Sequence, residues 1–285
     1  MNSRYKGIFF ITLSALSFAF MNAFVRLSGD LPSVQKSFFR NLVAFFIALV
    51  MILRSGDGFK IEKGNLKYMI LRATFGTVGI LCNFYAVDHL VLSDASMLNK
   101  MSPFFVIIFS FLLLKEKMTP AQGLAVAGAF IGSLFVIKPT FTNMALVPSL
   151  IGLCGGICAG IAYAMVRILG QRGQKGSSVV IFFSGFSCVV TLPCLILDFH
   201  PMSGLQILTL LGAGLAAAGG QFGITAAYYH APAKEISIYD YSQIIFSTIL
   251  GFFLFGQVPD RYSVLGYVII CAMALWMFIY NKNRD

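Results

Sequence analysis

The chain has 285 residues, of which 58% are hydrophobic and 11% charged, with 29 Phe, 27 Gly and a mean hydropathy of +0.83. A soluble domain carries charge on roughly a quarter of its residues, so this composition excludes a water-facing globule. The excess of 21 Lys and Arg over 11 Asp and Glu then points to loops at an anionic membrane face, and no nucleic-acid partner is expected.

Apolar runs close to the length of a bilayer span recur from end to end. In chain order they are 6–26, 34–53, 68–88, 93–114, 119–137, 148–169, 177–197, 203–226, 234–254 and 262–280. The first follows Arg4 and Lys6, as a signal peptide would. It continues for a full span without a small-residue cleavage site, which marks a retained helix. In hydrocarbon every backbone polar group needs an internal partner. Runs such as LVAFFIALVMIL do not alternate as barrel strands must, so the spans are read as helices. Turn formers separate them: Gly29 with Pro32, Gly56 with Gly58, Thr119-Pro120, Pro139, Gly173 with Gly176, Pro201, Pro232 and Pro259.

Two halves emerge, 1–138 and 139–285. SPFFVIIFSFLLLKEKMTPAQGLAVAGAFIG from Ser102 lies over SQIIFSTILGFFLFGQVPDRYSVLGYVIICA from Ser242, each a span, a short polar turn and a span. An odd number of helices per half forces the second copy to enter the membrane in the opposite sense. The fold class expected is therefore an all-α integral membrane protein, ten transmembrane helices in two inverted five-helix repeats. With the N-terminus inside, Arg4, Lys6, Arg54, Lys60, Lys63, Lys67, Lys115, Lys117, Arg172, Lys175, Lys234, Lys282 and Arg284 face the cytoplasm. Arg26, Lys36, Lys138 and Arg261 face out. This asymmetry puts both termini in the cytoplasm.

Cys82, Cys154, Cys158, Cys188, Cys194 and Cys271 all lie in apolar runs, unlike a disulfide framework. Cys154 and Cys158 share a helix face without His or carboxylate neighbours, so they read as packing residues. No metal or cofactor is expected. Gly152, Gly156 and Gly160, with the pairs Gly128–Gly132 and Gly219–Gly223, recur every four residues and let helices approach closely.

Several features in order carry a family resemblance: Phe39-Arg40 at the second span, LRATFGTVGILCNFYAVDHLVLSDASML with Tyr85, then Pro103, then LLLKEK with Glu116. Together they resemble the drug/metabolite transporter superfamily in its ten-helix EamA-type branch, over essentially the whole chain. The resemblance implies a secondary transporter. Its third, fourth, eighth and ninth helices would line a central cavity, and in some relatives the fifth and tenth make dimer contacts. Arg40 would then serve a structural or gating role. The second half departs from the pattern, with Gln243 where the first has Pro103 and Gly256 where it has Glu116.

Ionisable groups inside spans usually face a cavity or a partner. Arg72 and Arg167 sit near cytoplasmic span ends, within reach of headgroups by snorkelling. Lys100 lies about 9 Å into its span at the helical rise, facing either the cavity or the outer interface. Asn99 beside it widens the polar face, and Pro103 removes a backbone donor, opening the helix there. Asp240 occupies the matching position of the ninth span. Straight spans set the two about 15 Å apart in depth, as opposite charges at two levels of one pathway or as partners in a tilted state. Asp240 is the first choice for a proton carrier. Asp94 is the second, with a solvent-exposed helix cap as its alternative.

Tyr85, Asn83, Gln221, Tyr228, Tyr239 and Gln243 complete the expected substrate-binding set with Lys100 and Asn99. Asp240, Arg40, Asp94 and Pro103 form the coupling or gating set. Aromatic walls with a few convergent polar groups suit a small-molecule pocket. The function expected is a secondary active transporter of a small polar or amphipathic metabolite by alternating access. Lys100 and Arg40 favour an anionic or zwitterionic substrate, and proton coupling is attached to Asp240. The alternatives are a membrane-embedded enzyme, which lacks HExxH, GxSxG or phosphate-loop signals, and a channel, which lacks charged rings. The expected partners are the metabolite, protons and the bilayer, with the chain a monomer or a homodimer.

Overall fold

The computed structural model describes residues 3–55, 58–114, 119–137, 145–231, 236 and 239–282. Its elements are α1 (Ser3–Leu27), α2 (Ser33–Ser55), α3 (Leu66–His89), α4 (Leu92–Asn99), α5 (Ser102–Leu114) and α6 (Pro120–Ile137). They continue with α7 (Leu146–Gln171), α8 (Gly176–Leu197), α9 (Gly204–His230), α10 (Ser242–Phe255) and α11 (Arg261–Lys282). Seven helices, α1, α2, α3, α7, α8, α9 and α11, are long and apolar enough to cross a membrane. The result is an all-α, multi-pass membrane fold. The fifth and ninth expected spans contain the shorter apolar helices α6 and α10, and the fourth is divided into α4 and α5. Glu116, Lys115, Lys117, Lys138, Lys234 and Arg284 lie outside the described residues.

Large apolar side chains cover the outside, among them Leu197 at 87% and Phe253 at 77% exposure. In water such a surface would aggregate; in hydrocarbon it is ordinary. Polar residues are instead collected inside, with Arg40, Lys36, Lys100 and Asp240 all at or near zero exposure.

Helix ends follow their local chemistry. Ser203 caps α9 through a reciprocal pair: its Oγ accepts from the Gln206 N–H, and the Gln206 side chain accepts from the Ser203 N–H. This box satisfies two otherwise orphaned donors. Gly256 ends α10 at φ 62°, and the N–H groups of Gly256 and Gln257 donate to the Phe252 and Gly251 carbonyls. Left-handed backbone at that position is natural only for glycine. The residue aligned with Glu116 in the first half is thus a helix stop.

Neighbouring helices pair along their lengths: α1 with α9, α3 with α7, α2 with α8, and α6 with α11. Small residues permit the close approaches that lipid itself does not drive. A Cβ on Gly266 of α11 would lie 2.7 Å from the Gly132 carbonyl of α6. The expected glycine face of α7 packs on the junction between α4 and α5. A Cβ at Gly156 would lie 2.5 Å from the Leu98 carbonyl, and one at Gly160 would lie 2.5 Å from the Phe105 Cβ. The broken segment is therefore held against bare backbone.

Candidate functional site

A buried cavity opens where α1, α2, α3, α7, α8, α9 and α10 meet the α4–α5 break. Phe18, Met21 and Asn22 come from α1, Arg40 from α2, and Arg72, Gly76, Gly79, Ile80 and Asn83 from α3. Asn99 closes one side, with Ala159, Ala162 and Tyr163 of α7, Phe183 of α8, Gln221 of α9 and Gln243 of α10. The free space is about 50 Å³, room for a few waters and far less than a metabolite pocket of several hundred Å³.

Two guanidiniums dominate this lining. Arg72 donates from Nη2 to the Gln221 Oε1 at 2.7 Å and lies 4.1 Å over the Phe183 ring. Gly76, one turn along the same helix, leaves space for it. A Cβ there would collide with Nη1 and sit 2.8 Å from the Phe183 ring. Arg40 is fully buried and donates from Nη1 to the Asn41 Oδ1. The Asn41 amide donates in turn to Ser37 Oγ at 3.3 Å and Ser187 Oγ at 2.7 Å. Among the described residues, Arg40 Nε and Nη2 and Arg72 Nε have no hydrogen-bond partner. Two buried acceptors are likewise unsatisfied, Asn83 Oδ1 and Gln243 Oε1, although the Asn83 amide donates to Asn22 Oδ1 at 3.0 Å.

Behind the Phe18 wall lies an ion pair. Lys100 Nζ is 2.7 Å from Asp240 Oδ2, each side chain 1% exposed, and it lies 6.0 Å from the centre of the Phe18 ring. The contact lacks the alignment of a hydrogen bond, so both carboxylate oxygens keep open lone pairs among the described residues. This corrects the 15 Å separation expected from straight spans. The rise per residue does not hold through the breaks, at Lys100–Met101 on one side and at Tyr241 on the other. Helices α4 and α10 then pack together, with Ser96 Oγ 2.8 Å from Ser247 Oγ. Lys100 neither lines the cavity nor reaches the outer interface; its neighbour Asn99 faces the cavity instead.

Several other expectations change. Pro103 stands in the first turn of α5, where its missing N–H is harmless. The interruption precedes it, and Phe104 and Phe105 N–H groups both donate to the Met101 carbonyl. Asp94 is not a solvent-exposed cap: it is 8% exposed and accepts from the Tyr267 hydroxyl at 2.6 Å. Arg72 does not snorkel, being 2% exposed. Arg167 shares a second cavity, of about 300 Å³, with Tyr228, Tyr229 and His230. Tyr228 is buried there, its ring 5.9 Å from that of Tyr163.

Tyr85 stacks on His89 at 4.1 Å, away from the central cavity. Tyr239 meets Phe278 edge-on and borders a groove with Tyr267, Ile245 and Ile249. Of the expected binding and gating residues, Arg40, Asn83, Asn99, Gln221 and Gln243 thus converge on one cavity. Sequence reasoning missed Asn22 and Tyr163 and undervalued Arg72. The signals were present: Asn22 interrupts the run FAFMNAF, and Gly76 follows Arg72 at four residues, clearing the helix face it needs.

Comparison with known proteins agrees with this architecture. A solved crystal structure, 17% identical, superposes with a TM-score of 0.70 over 98% of both chains. The pseudopaline exporter CntI of Pseudomonas aeruginosa is 30% identical over 267 residues, 93% of each chain. Solute carrier family 35 member G1 of Homo sapiens is 28% identical, covering 93% of this chain and 77% of its own. A riboflavin transporter of Brucella anthropi is 26% identical over 87% of this chain and 88% of its own. Residues 5–138 and 150–279 each match the same family description, which sets the enzyme alternative aside. The chain belongs to the EamA-like transporter family.

Proposed function

We propose that the chain is a secondary active transporter carrying a small anionic or zwitterionic metabolite by alternating access through the central cavity. The observation that carries this reading is a pair of buried guanidiniums, Arg40 and Arg72, that line one small cavity and keep N–H groups without a partner among the described residues. An acidic substrate both accepts from such groups and neutralises their charge, whereas water only accepts. The small free volume supports alternating access, since a metabolite enters only when the surrounding helices part.

The two halves, 1–138 and 139–285, would move as inverted repeats. Matching contacts support this. Helix α1 packs on α9 as α3 packs on α7, and α1 meets α10 as α5 meets α7. Broken helices at the repeat interface are where transporters of this kind build their sites. Lys100 and Asp240 hold equivalent places at the two breaks, and equivalent residues touch only near the axis that relates the halves. The loop cations support cytoplasmic termini. Cysteines introduced beside Gly58 and at Lys138 test this: labelling in intact cells should be blocked at the first and open at the second, and the opposite pattern would reverse the orientation.

The transport reading is tested in proteoliposomes loaded with a panel of organic acids, amino acids and organic cations. Acids and zwitterions are expected to exchange with external label, and Arg72→Met, which keeps an apolar stem, should slow exchange by about tenfold or more. Exchange of cations alone, or an unaffected variant, would remove the guanidiniums from substrate binding.

A further inference from the structure

Charge balance in the cavity carries the reading further. Among the described residues its lining contains two guanidiniums and no carboxylate. Among the described residues the buried carboxylates are committed elsewhere, Asp94 to Tyr267 and Asp240 to Lys100, and the half-buried Asp88 pairs with Lys36 at 2.7 Å. Two buried cations without a counter-charge are costly, and a partner that neutralises one leaves the other stranded.

The edges offered are specific. Arg40 has its Nη1 engaged by Asn41, which leaves Nε and Nη2 open. Those two N–H groups form the side-on fork that matches both oxygens of one carboxylate. Arg72 has Nη2 held by Gln221 and an unpartnered Nε among the described residues, and so offers a bond to a second acid group. The unsatisfied acceptors, Asn83 Oδ1 and Gln243 Oε1, call for N–H or O–H donors on the same ligand.

We infer that the substrate carries two acid groups and at least one N–H or O–H donor, an amino or hydroxy dicarboxylate in type. One carboxylate sits in the Arg40 fork, the other meets Arg72, and the donor lies between Asn83 and Gln243. This rests on the transporter reading above and narrows its substrate class.

The test compares succinate, aspartate, glutamate and 2-aminoadipate, each beside its ω-monoamide, for binding to the purified full chain by calorimetry and thermal shift. The monoamide keeps shape while removing one charge. At least one diacid is expected to bind about thirtyfold or more tightly than its monoamide, the loss of one buried charge pair. The amino diacids should exceed succinate. Arg40→Lys and Arg72→Lys keep the charge but lose the fork; the first should cost more affinity than the second. A monoamide binding within threefold of its diacid would overturn the inference and leave the wider transporter reading standing. No binding by any diacid would also overturn it. Binding of organic cations alone would overturn both.

Discussion

Lys100→Met is expected to lower the stability of the folded protein by about 3–5 kcal/mol, the usual penalty for stranding one member of a buried ion pair. The ammonium is 2.7 Å from Asp240 Oδ2, and both side chains are sealed from solvent. Asp240→Leu should be comparably damaging, since it leaves the ammonium alone. The double variant Lys100→Met with Asp240→Leu removes both charges and should recover most of the loss. Apolar replacement of a whole buried pair is often neutral or better. Unfolding of the detergent-solubilised variants followed by tryptophan fluorescence and by heat measures the cycle. Additive losses would show that the two side chains act independently.

The same pair bears on coupling. Asp240→Asn keeps hydrogen-bonding capacity but cannot titrate. If Asp240 carries the proton, liposomes with this variant should lose accumulation driven by a pH gradient while retaining counterflow. Intact pH-driven accumulation would take Asp240 out of that role.

Gly156→Leu should be among the most damaging substitutions in the chain. A Cβ there would lie 2.5 Å from the Leu98 carbonyl, and backbone cannot rotate away as a side chain can. Overpacking of this kind costs about 3 kcal/mol or more, and it also pushes α7 off the break that presents Asn99 to the cavity. Gly152→Ala should be milder, because the nearest atom is the Ala86 Cβ at 3.1 Å. Gly204→Ala is the control. Nothing lies within 4 Å of its added methyl, so the change should stay within about 0.5 kcal/mol. A melting series across the three variants checks the ranking. An unperturbed Gly156→Leu melt would mean that α7 does not rest on the break.

Much of this architecture was legible in the sequence because lipid leaves the backbone few options. Long apolar runs between turn formers become helices, and α1, α2, α3, α7, α8 and α9 match their expected spans within a few residues at most ends. The cavity was half legible. Asn83, Gln221 and Gln243 stood out as polar groups inside apolar runs, and all three line it. Depth along a helix was the weak coordinate. A fixed rise per residue placed Lys100 and Asp240 far apart because it could not register the breaks at Lys100–Met101 and Tyr241. The same assumption sent Arg72 towards the headgroups, whereas the bare face at Gly76 and the Phe183 ring hold it inside. Tyr85 and Tyr239 show the opposite error, since aromatic residues near a polar neighbour pack just as well on His89 and Phe278.

The pairing of Lys100 with Asp240 also limits how this chain could be assembled. One charge comes from the first half and its opposite from the second. On the inverted-repeat arrangement proposed above, two copies of the first half would set ammonium against ammonium, and two copies of the second would set carboxylate against carboxylate. At such a distance in a poorly screened interior, like charges repel by several kcal/mol even with a generous effective dielectric. On that arrangement each half would be selective for the other, as in a heterodimer whose subunits have been joined. A split protein expressed as two separate pieces would be steered by this contact towards the mixed product and away from either self-pair.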